Sequence, residues 1–223
     1  MNMLDGYIKT KLGIIKQLNP SPYNYGFEYS SKYEKLGPLG LQMAHLRFGF
    51  LRGVIGNKTI NSLLDVGYGC GDFLKVAVSS IPVCHGTDLD EAYNVPTGCN
   101  FVSELDSQHY DVITFFDSLE HMPENEFVKD LDCNYICISL PWCHYFSDDW
   151  FDTWKHRRPD EHIWHYNDES LSSYMNAMGY NTLLMSNIED TIRKGVDSHP
   201  NILTGIFEKR KYGNNNRIRR VYR

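Results

Sequence analysis

A chain of 223 residues with 42% hydrophobic and 22% charged residues can bury one sizeable core, which excludes a disordered protein and favours one large domain. A net charge of −6 argues against holding nucleic acid by bulk electrostatics, since phosphate neutralisation needs a surplus of Lys and Arg. No run approaches the roughly 20 apolar residues that span a bilayer, and the N-terminus, with Asp5, Lys9 and Lys11, lacks a signal peptide's apolar core, so a cytoplasmic protein with no membrane span is expected.

Residues 1–60 are rich in Tyr, Gly and Pro, with one helical stretch around Leu41 to Val54 in which Leu41, Ala44, Phe48 and Leu51 recur at helix spacing. This segment is predicted to be an N-terminal helical cap over a later core. From Ser62 the texture changes to short apolar runs that alternate with helix-length segments such as Asp72–Ser80, the pattern of an α/β protein with a largely parallel sheet. The predicted strands are Ser62–Val66, Val83–Thr87, Phe101–Val102, Val112–Phe116, Tyr135–Ser139, Asn181–Ser186 and Leu203–Lys209. Only a loop separates the last two, which suits an antiparallel edge. Three segments follow: a cap and extension over 1–60, the main domain over 61–211, and a basic tail over 212–223.

The first strand ends in Asp65-Val66 and runs into Gly67-Tyr68-Gly69-Cys70-Gly71 ahead of the amphipathic Phe73-Leu74-Lys75-Val76-Ala77. Glycines at alternate positions let the backbone turn sharply and let a ligand approach with no Cβ in the way, while the following helix points unpaired N–H groups at it. The spacing is one residue tighter than the G-x-G-x-x-G of dinucleotide binders and lacks the Lys-Ser/Thr of a triphosphate loop. Asp88 follows 23 residues after Asp65 at the tip of the second strand, where a doubly wound fold places the carboxylate that accepts from ribose hydroxyls. A third tip at Ser103-Glu104-Leu105 and a fourth at Phe116-Asp117 converge on the same switch point.

Together with Tyr110-Asp111-Val112-Ile113-Thr114-Phe115-Phe116-Asp117-Ser118-Leu119-Glu120-His121, these segments resemble the class I S-adenosylmethionine-dependent methyltransferases over about Leu63 to Gly179, and the Leu-Glu-His ending resembles the ubiquinone-type and sugar-type small-molecule branch. The resemblance implies a seven-stranded doubly wound, mostly parallel sheet in the order 3-2-1-4-5-7-6, with S-adenosylmethionine across the strand tips. Asp65 and the turn from Gly67 through Tyr68 and Gly69 to Gly71 would hold its amino-acid end. Asp88 with Leu89 would hold the ribose, Glu104 and Leu105 the adenine, and Phe116 and Asp117 would complete the cofactor site.

Methyl transfer from a sulfonium is an in-line displacement for which alignment alone can supply about 7–11 kcal/mol, so a base matters only when the acceptor is a hydroxyl or a protonated amine. Histidine is the natural base near neutral pH. His121 closes the fourth-strand motif, and His162 lies, by the resemblance of Glu161-His162-Ile163-Trp164-His165-Tyr166-Asn167 to a family stretch, near the cofactor mouth; these two are the catalytic candidates. In the same match Asn167 or Asp168 caps a helix that runs to Met178 and stops at Gly179.

The segment from Pro141 to His165 holds all four tryptophans, at 142, 150, 154 and 164, with His, acids and Arg between them. Two roles fit it: a pocket for a ring-shaped acceptor, or rings that pack a loop onto the domain. No metal site is expected, because no spacing enforces a cluster among Cys143, His144, His162 and His165, and the six cysteines read as reduced thiols. The leading expectation is methyl transfer to a small molecule, a sugar or other ring hydroxyl or amine. A nucleic-acid or protein methyltransferase using the basic tail is the alternative, although Asp117-Ser118-Leu119-Glu120 departs from the Asp/Asn-Pro-Pro-aromatic signature of base-amino methylation. A non-catalytic S-adenosylmethionine-binding protein is the third possibility.

Overall fold

The computed structural model describes residues 5–23, 37–89, 94–103, 105, 108–195 and 199–211. A short hairpin opens the chain, with β1 (Tyr7–Lys9) antiparallel to β2 (Ile15–Gln17). Helix α1 (Pro38–Ile55) follows, started by a proline in its first turn and stopped at Gly56, whose φ of 69° continues no right-handed helix. Next come β3 (Ser62–Val66), α2 (Asp72–Ala77), β4 (Val83–Thr87), β5 (Asn100–Phe101), β6 (Tyr110–Phe116) and β7 (Cys133–Pro141). The chain then forms α3 (Asp148–Thr153), β8 (Trp164–His165), α4 (Asp168–Ala177), β9 (Tyr180–Ser186) and β10 (Ile202–Lys209).

Seven strands form one sheet in the order β5-β4-β3-β6-β7-β10-β9. Numbered within that sheet, this is 3-2-1-4-5-7-6, as the resemblance implied. The five from β5 to β7 are parallel, and β10 inserts antiparallel between β7 and β9. Neighbouring residues on the central strands serve opposite faces. Leu64, Ile113 and Ile136 pack with α4 residues Leu171, Tyr174 and Met175, whereas Leu63, Val112 and Cys137 pack under α1 and α2 against Leu51, Ile55, Phe73 and Leu74. Burial on both faces explains why these strands read as unbroken apolar runs rather than as alternation.

The strand boundaries fall within one or two residues of those predicted, most outward at β6 and β7, which extend to Tyr110 and to Cys133 and Pro141. Of the residues expected on one face of α1, Ala44 and Leu51 are buried and Phe48 packs partly buried on the same core, while Leu41 is 42% exposed; Met43, Arg47 and Ile55 complete the buried stripe. Asn167 caps α4 through a reciprocal pair: its side chain accepts from the Ser170 N–H at 2.7 Å, and its own N–H donates to Ser170 Oγ at 2.9 Å. Gly179, with φ of 96°, lies just past the α4 end. The three-stranded sheet β1-β2-β8 was not predicted, since strands of two or three residues carry too little pattern.

A buried ion network joins the cap to the sheet. Arg47 donates to Asp117 at 2.7 Å and to Glu189 at 2.7 and 3.0 Å, and Arg193 meets Asp117 at 2.8 Å and Glu189 at 2.9 Å. Burial alone would raise the Asp117 carboxyl, but Arg193 and Arg47 override it and hold the group well below the usual carboxylate range. These contacts also fix Asp117 at φ of 54°, a left-handed conformation that Asp tolerates better than most residues. Arg47→Met leaves Glu189, whose side chain has no exposed surface, with one cation fewer. Breaking a buried pair in this way is expected to cost about 3–5 kcal/mol, read as a lower urea midpoint at unchanged m-value; a loss below about 1 kcal/mol would show the network to be dispensable.

Candidate active site at the strand tips

Two close approaches shape the turn after β3. Gly67, Gly69 and Gly71 all have positive φ, at 76°, 53° and 75°. A Cβ on Gly67 would lie 2.6 Å from Ser118 Cβ, and one on Gly71 would lie 2.7 Å from Pro96, whereas one on Gly69 would meet nothing within 4 Å. The turn is therefore packed at both ends and open in the middle. The Gly67 N–H donates to the Thr87 carbonyl at 2.7 Å, and the Gly69 N–H donates to Asp88 Oδ2 at 2.8 Å, so the tip of β4 braces the turn. Ser118 Oγ donates to the Val66 carbonyl at 2.6 Å and closes the β6 side.

Beyond Ser118 the chain makes a 3-10 turn, Leu119–His121, which aims polar groups across the same tips. Glu120 is 2% exposed, and neither of its carboxylate oxygens meets a hydrogen-bond partner among the described residues. His121 Nε2 lies 3.9 Å from Glu120 Oε1, too far for a hydrogen bond. His121 Nδ1 sits 2.7 Å from the Glu161 carbonyl, and His162 Nδ1 sits 2.8 Å from the His156 carbonyl. A carbonyl only accepts, so both rings carry their proton on Nδ1 and a lone pair on Nε2. The two imidazoles meet edge to face with centroids 4.7 Å apart. Burial lowers the pKa of both, most for His162, which falls to about 2 with the neighbouring His121 adding to the effect; both rings are neutral at physiological pH.

The family profile described as a methyltransferase domain matches residues 42–184, more than half of the chain. The chain belongs to the methyltransferase-domain family. No curated protein matches it. Among solved structures, the fold is similar to a chain of the complex between the Haloferax volcanii Trm112 methyltransferase activator and a methyltransferase, with a TM-score of 0.60 at 9% identity over 84% of this chain and 97% of that one. It is similar to an S-adenosylmethionine-dependent methyltransferase from Mesorhizobium loti, with a TM-score of 0.53 at 14% identity over 74% and 98% of the two chains. It is also similar to magnesium protoporphyrin IX methyltransferase from Synechocystis with bound S-adenosylhomocysteine, with a TM-score of 0.51 at 14% identity over 77% and 86%. The enzyme class is S-adenosylmethionine-dependent methyl transfer, and S-adenosylmethionine is its cofactor.

The turn suits that cofactor: its open middle at Gly69 adjoins the Asp88 carboxylate, and its two packed ends hold the cradle rigid. The other predicted cofactor residues divide by position. Tyr68 is buried, with its ring against the spot a Cβ on Gly86 would fill, and Phe116 is buried edge to face with Phe73 at 4.6 Å, so both shape the floor. Asp117 is committed to the ion network. Leu89 is 83% exposed, Leu105 is exposed, and Glu104 lies outside the described residues. Sequence reasoning missed Arg47, whose guanidinium lies over the Phe116 ring at 4.6 Å and beside the fourth tip; a buried Arg on a cap helix carries no spacing signal.

The aromatic insertion divides the two roles expected for it. Phe151 and Cys143 are buried in a small core with Tyr7 and Ile15 of the hairpin, with Trp150 and Trp154 stacked at its edge, so much of the segment packs onto β1 and β2. Phe146 stays 57% exposed, stacked on His144 at 6.0 Å.

Near the end of β3, burial lifts the Asp65 carboxyl to about 7, against the opposing pull of the Thr114 hydroxyl, which donates to it at 2.6 Å, and of Arg47. The unfolded Asp65 loses its proton near pH 4, while the folded one keeps it to about 7. Folded protein therefore binds more protons across that window, and the Asp65 contribution falls as pH rises through it. Ligand-free Asp65→Asn, which keeps the Thr114 bond, is expected to lack this fall in urea-denaturation profiles from pH 4 to 8; a parallel profile for both proteins would contradict the assignment.

Proposed function

We propose that this methyltransferase modifies a small-molecule acceptor, with a ring hydroxyl or amine, a sugar first, as the methylated group. When bound, S-adenosylmethionine supplies an electrophilic methyl on a sulfonium. The observation that supports the reading is the abutment of the glycine turn on Ser118, two residues before Glu120, with His121 beside Glu120 and His162 against His121. In this reading Asp65, Gly67, Gly69, Gly71 and Asp88 orient the cofactor, and His121 and His162 are the catalytic pair on the acceptor side. Their Nε2 lone pairs can receive a hydroxyl proton, and His121, the less depressed of the two, is the stronger base. The buried surroundings keep water from competing for the methyl group.

Two features favour a small acceptor over nucleic acid. The net charge is negative, and the two guanidinium groups at the fourth tip, Arg47 and Arg193, are taken up by Asp117 and Glu189 rather than forming a basic track. The aromatic rings of the insertion, with Phe146 exposed beside His144, suit a planar or sugar ring.

Asp88→Ala removes the carboxylate that braces Gly69 and, in this reading, holds the ribose. Calorimetric titration with S-adenosylhomocysteine is expected to show binding weakened at least tenfold, or about 1.4 kcal/mol. Unchanged affinity would refute the site assignment. An acceptor screen with the intact protein, run over sugars, ring hydroxyls and RNA, decides the substrate class: turnover confined to RNA would overturn it.

A further inference from the structure

Glu120 poses a problem that the cofactor cradle does not solve. The ion network beside it is internally balanced, with Arg47 and Arg193 against Asp117 and Glu189. Glu161, the other nearby carboxylate, is paired with Arg158 at 2.8 Å. Glu120 is thus buried with both oxygens unpartnered among the described residues, and the two guanidinium groups of that network are already paired with other carboxylates. Such a group is costly unless it stays protonated or meets a positive charge that is not part of the chain.

The groups around it point to the second solution. One ligand atom from each of Glu120, His121 and His162 lies within 4.8 Å of the others, and this set is the only such group of His, Cys, Asp and Glu found among the described residues. Both imidazoles are anchored through Nδ1–H to backbone carbonyls, of Glu161 and of His156, which fixes their tautomers and leaves lone pairs on Nε2. A second-sphere bond of this kind is what orients a metal-ligating histidine. The carbonyl of Glu120 in turn accepts from the Ile163 N–H at 2.8 Å, so the 3-10 turn and the His162 segment are locked together and the three side chains converge by construction.

We infer that Glu120, His121 and His162 form a binding site for a divalent first-row transition cation beside the cofactor cradle. Two imidazoles and one carboxylate make a borderline donor set that suits Zn²⁺, Mn²⁺, Fe²⁺ or Co²⁺ better than an all-oxygen cation. Three side chains leave positions open, as in catalytic rather than structural sites. Tetrahedral ligands about 2.0–2.2 Å from one ion stand roughly 3.3–3.6 Å apart, so separations of up to 4.8 Å must close by up to about 1.5 Å on binding. The inference rests on the reading of this cleft as the acceptor side and replaces the proton-accepting role given there to the two Nε2 lone pairs: an acceptor hydroxyl would sit on an open position of the cation, which acidifies it, and release its proton to solvent as the O–CH3 bond forms and the S–CH3 bond breaks, which favours a hydroxyl over an amine. The sequence gives no hint of this site, because Glu120 and His121 are adjacent and His162 is 41 residues further on.

The test uses the full chain, stripped with a chelator and titrated with Co²⁺ and then Zn²⁺. One equivalent of Co²⁺ is expected to bind with visible d–d absorption, and Zn²⁺ to displace it. Glu120→Gln and His162→Asn should each weaken binding at least tenfold, while His144→Asn, outside the cluster, should not. X-ray absorption of the Co²⁺-loaded wild type should show imidazole back-scattering, which keeps the test decisive if either variant fails to fold. Absence of stoichiometric binding, a first shell without imidazole, or folded variants that bind as wild type does would each overturn the inference. S-adenosylhomocysteine affinity measured on the same stripped samples separates the two claims: intact cofactor binding with no cation binding removes the metal site and leaves the cradle standing.

Discussion

The structure depends on one close approach, the packing of Gly67 against Ser118. Only a residue without a Cβ fits there, because a Cβ would sit 2.6 Å from the serine's own. The backbone at Gly67 also has a φ of 76°, which glycine adopts without penalty. This contact presses the turn after β3 onto the turn after β6, so the ligand cradle and the polar cluster share one wall. Ser118 then ties that wall down by donating to Val66. Everything proposed for the chemistry follows from these two turns being neighbours rather than being merely at the same end of a sheet.

Around that wall the protein concentrates its buried charge. Arg47 reaches from the cap, Arg193 and Glu189 from the segment before β10, and Asp117 from the tip of β6. Four ionic groups taken from water are costly unless each finds its partners, and here each carboxylate meets two guanidinium groups. The gain is positional. Helix α1 has a weakly amphipathic sequence, and the Arg47 contacts fix it over α2 and the tips where its apolar face alone would leave latitude.

Much of the fold was legible in the sequence, and for a physical reason. Strands buried on both faces, such as Leu63–Val66 and Val112–Phe116, are continuous apolar runs that stand out against polar connections, and the Gly67, Gly69, Gly71 series with Asp88 marks the switch point. The sheet order came from family resemblance rather than from patterning. The hairpin β1–β2 and its partner β8 were illegible because such short strands hold no period and lie outside the strand–helix alternation that marked the equally short β5, and Leu41, 42% exposed, strayed onto the expected α1 face because leucine fits either face of a cap. The site divides the same way. Its backbone-determined part announces itself through glycine spacing, whereas Arg47 and the meeting of Glu120 with His162 depend on how distant segments pack, which one chain's spacing does not encode.

The most direct measurement is a crystal structure of the full chain with S-adenosylhomocysteine. The account predicts the adenosyl group over the open middle of the turn at Gly69, the ribose hydroxyls on the Asp88 carboxylate, and the sulfur facing the Glu120, His121 and His162 cleft. Density for the ligand anywhere else, or a bound ligand with its sulfur turned away from that cleft, would contradict it.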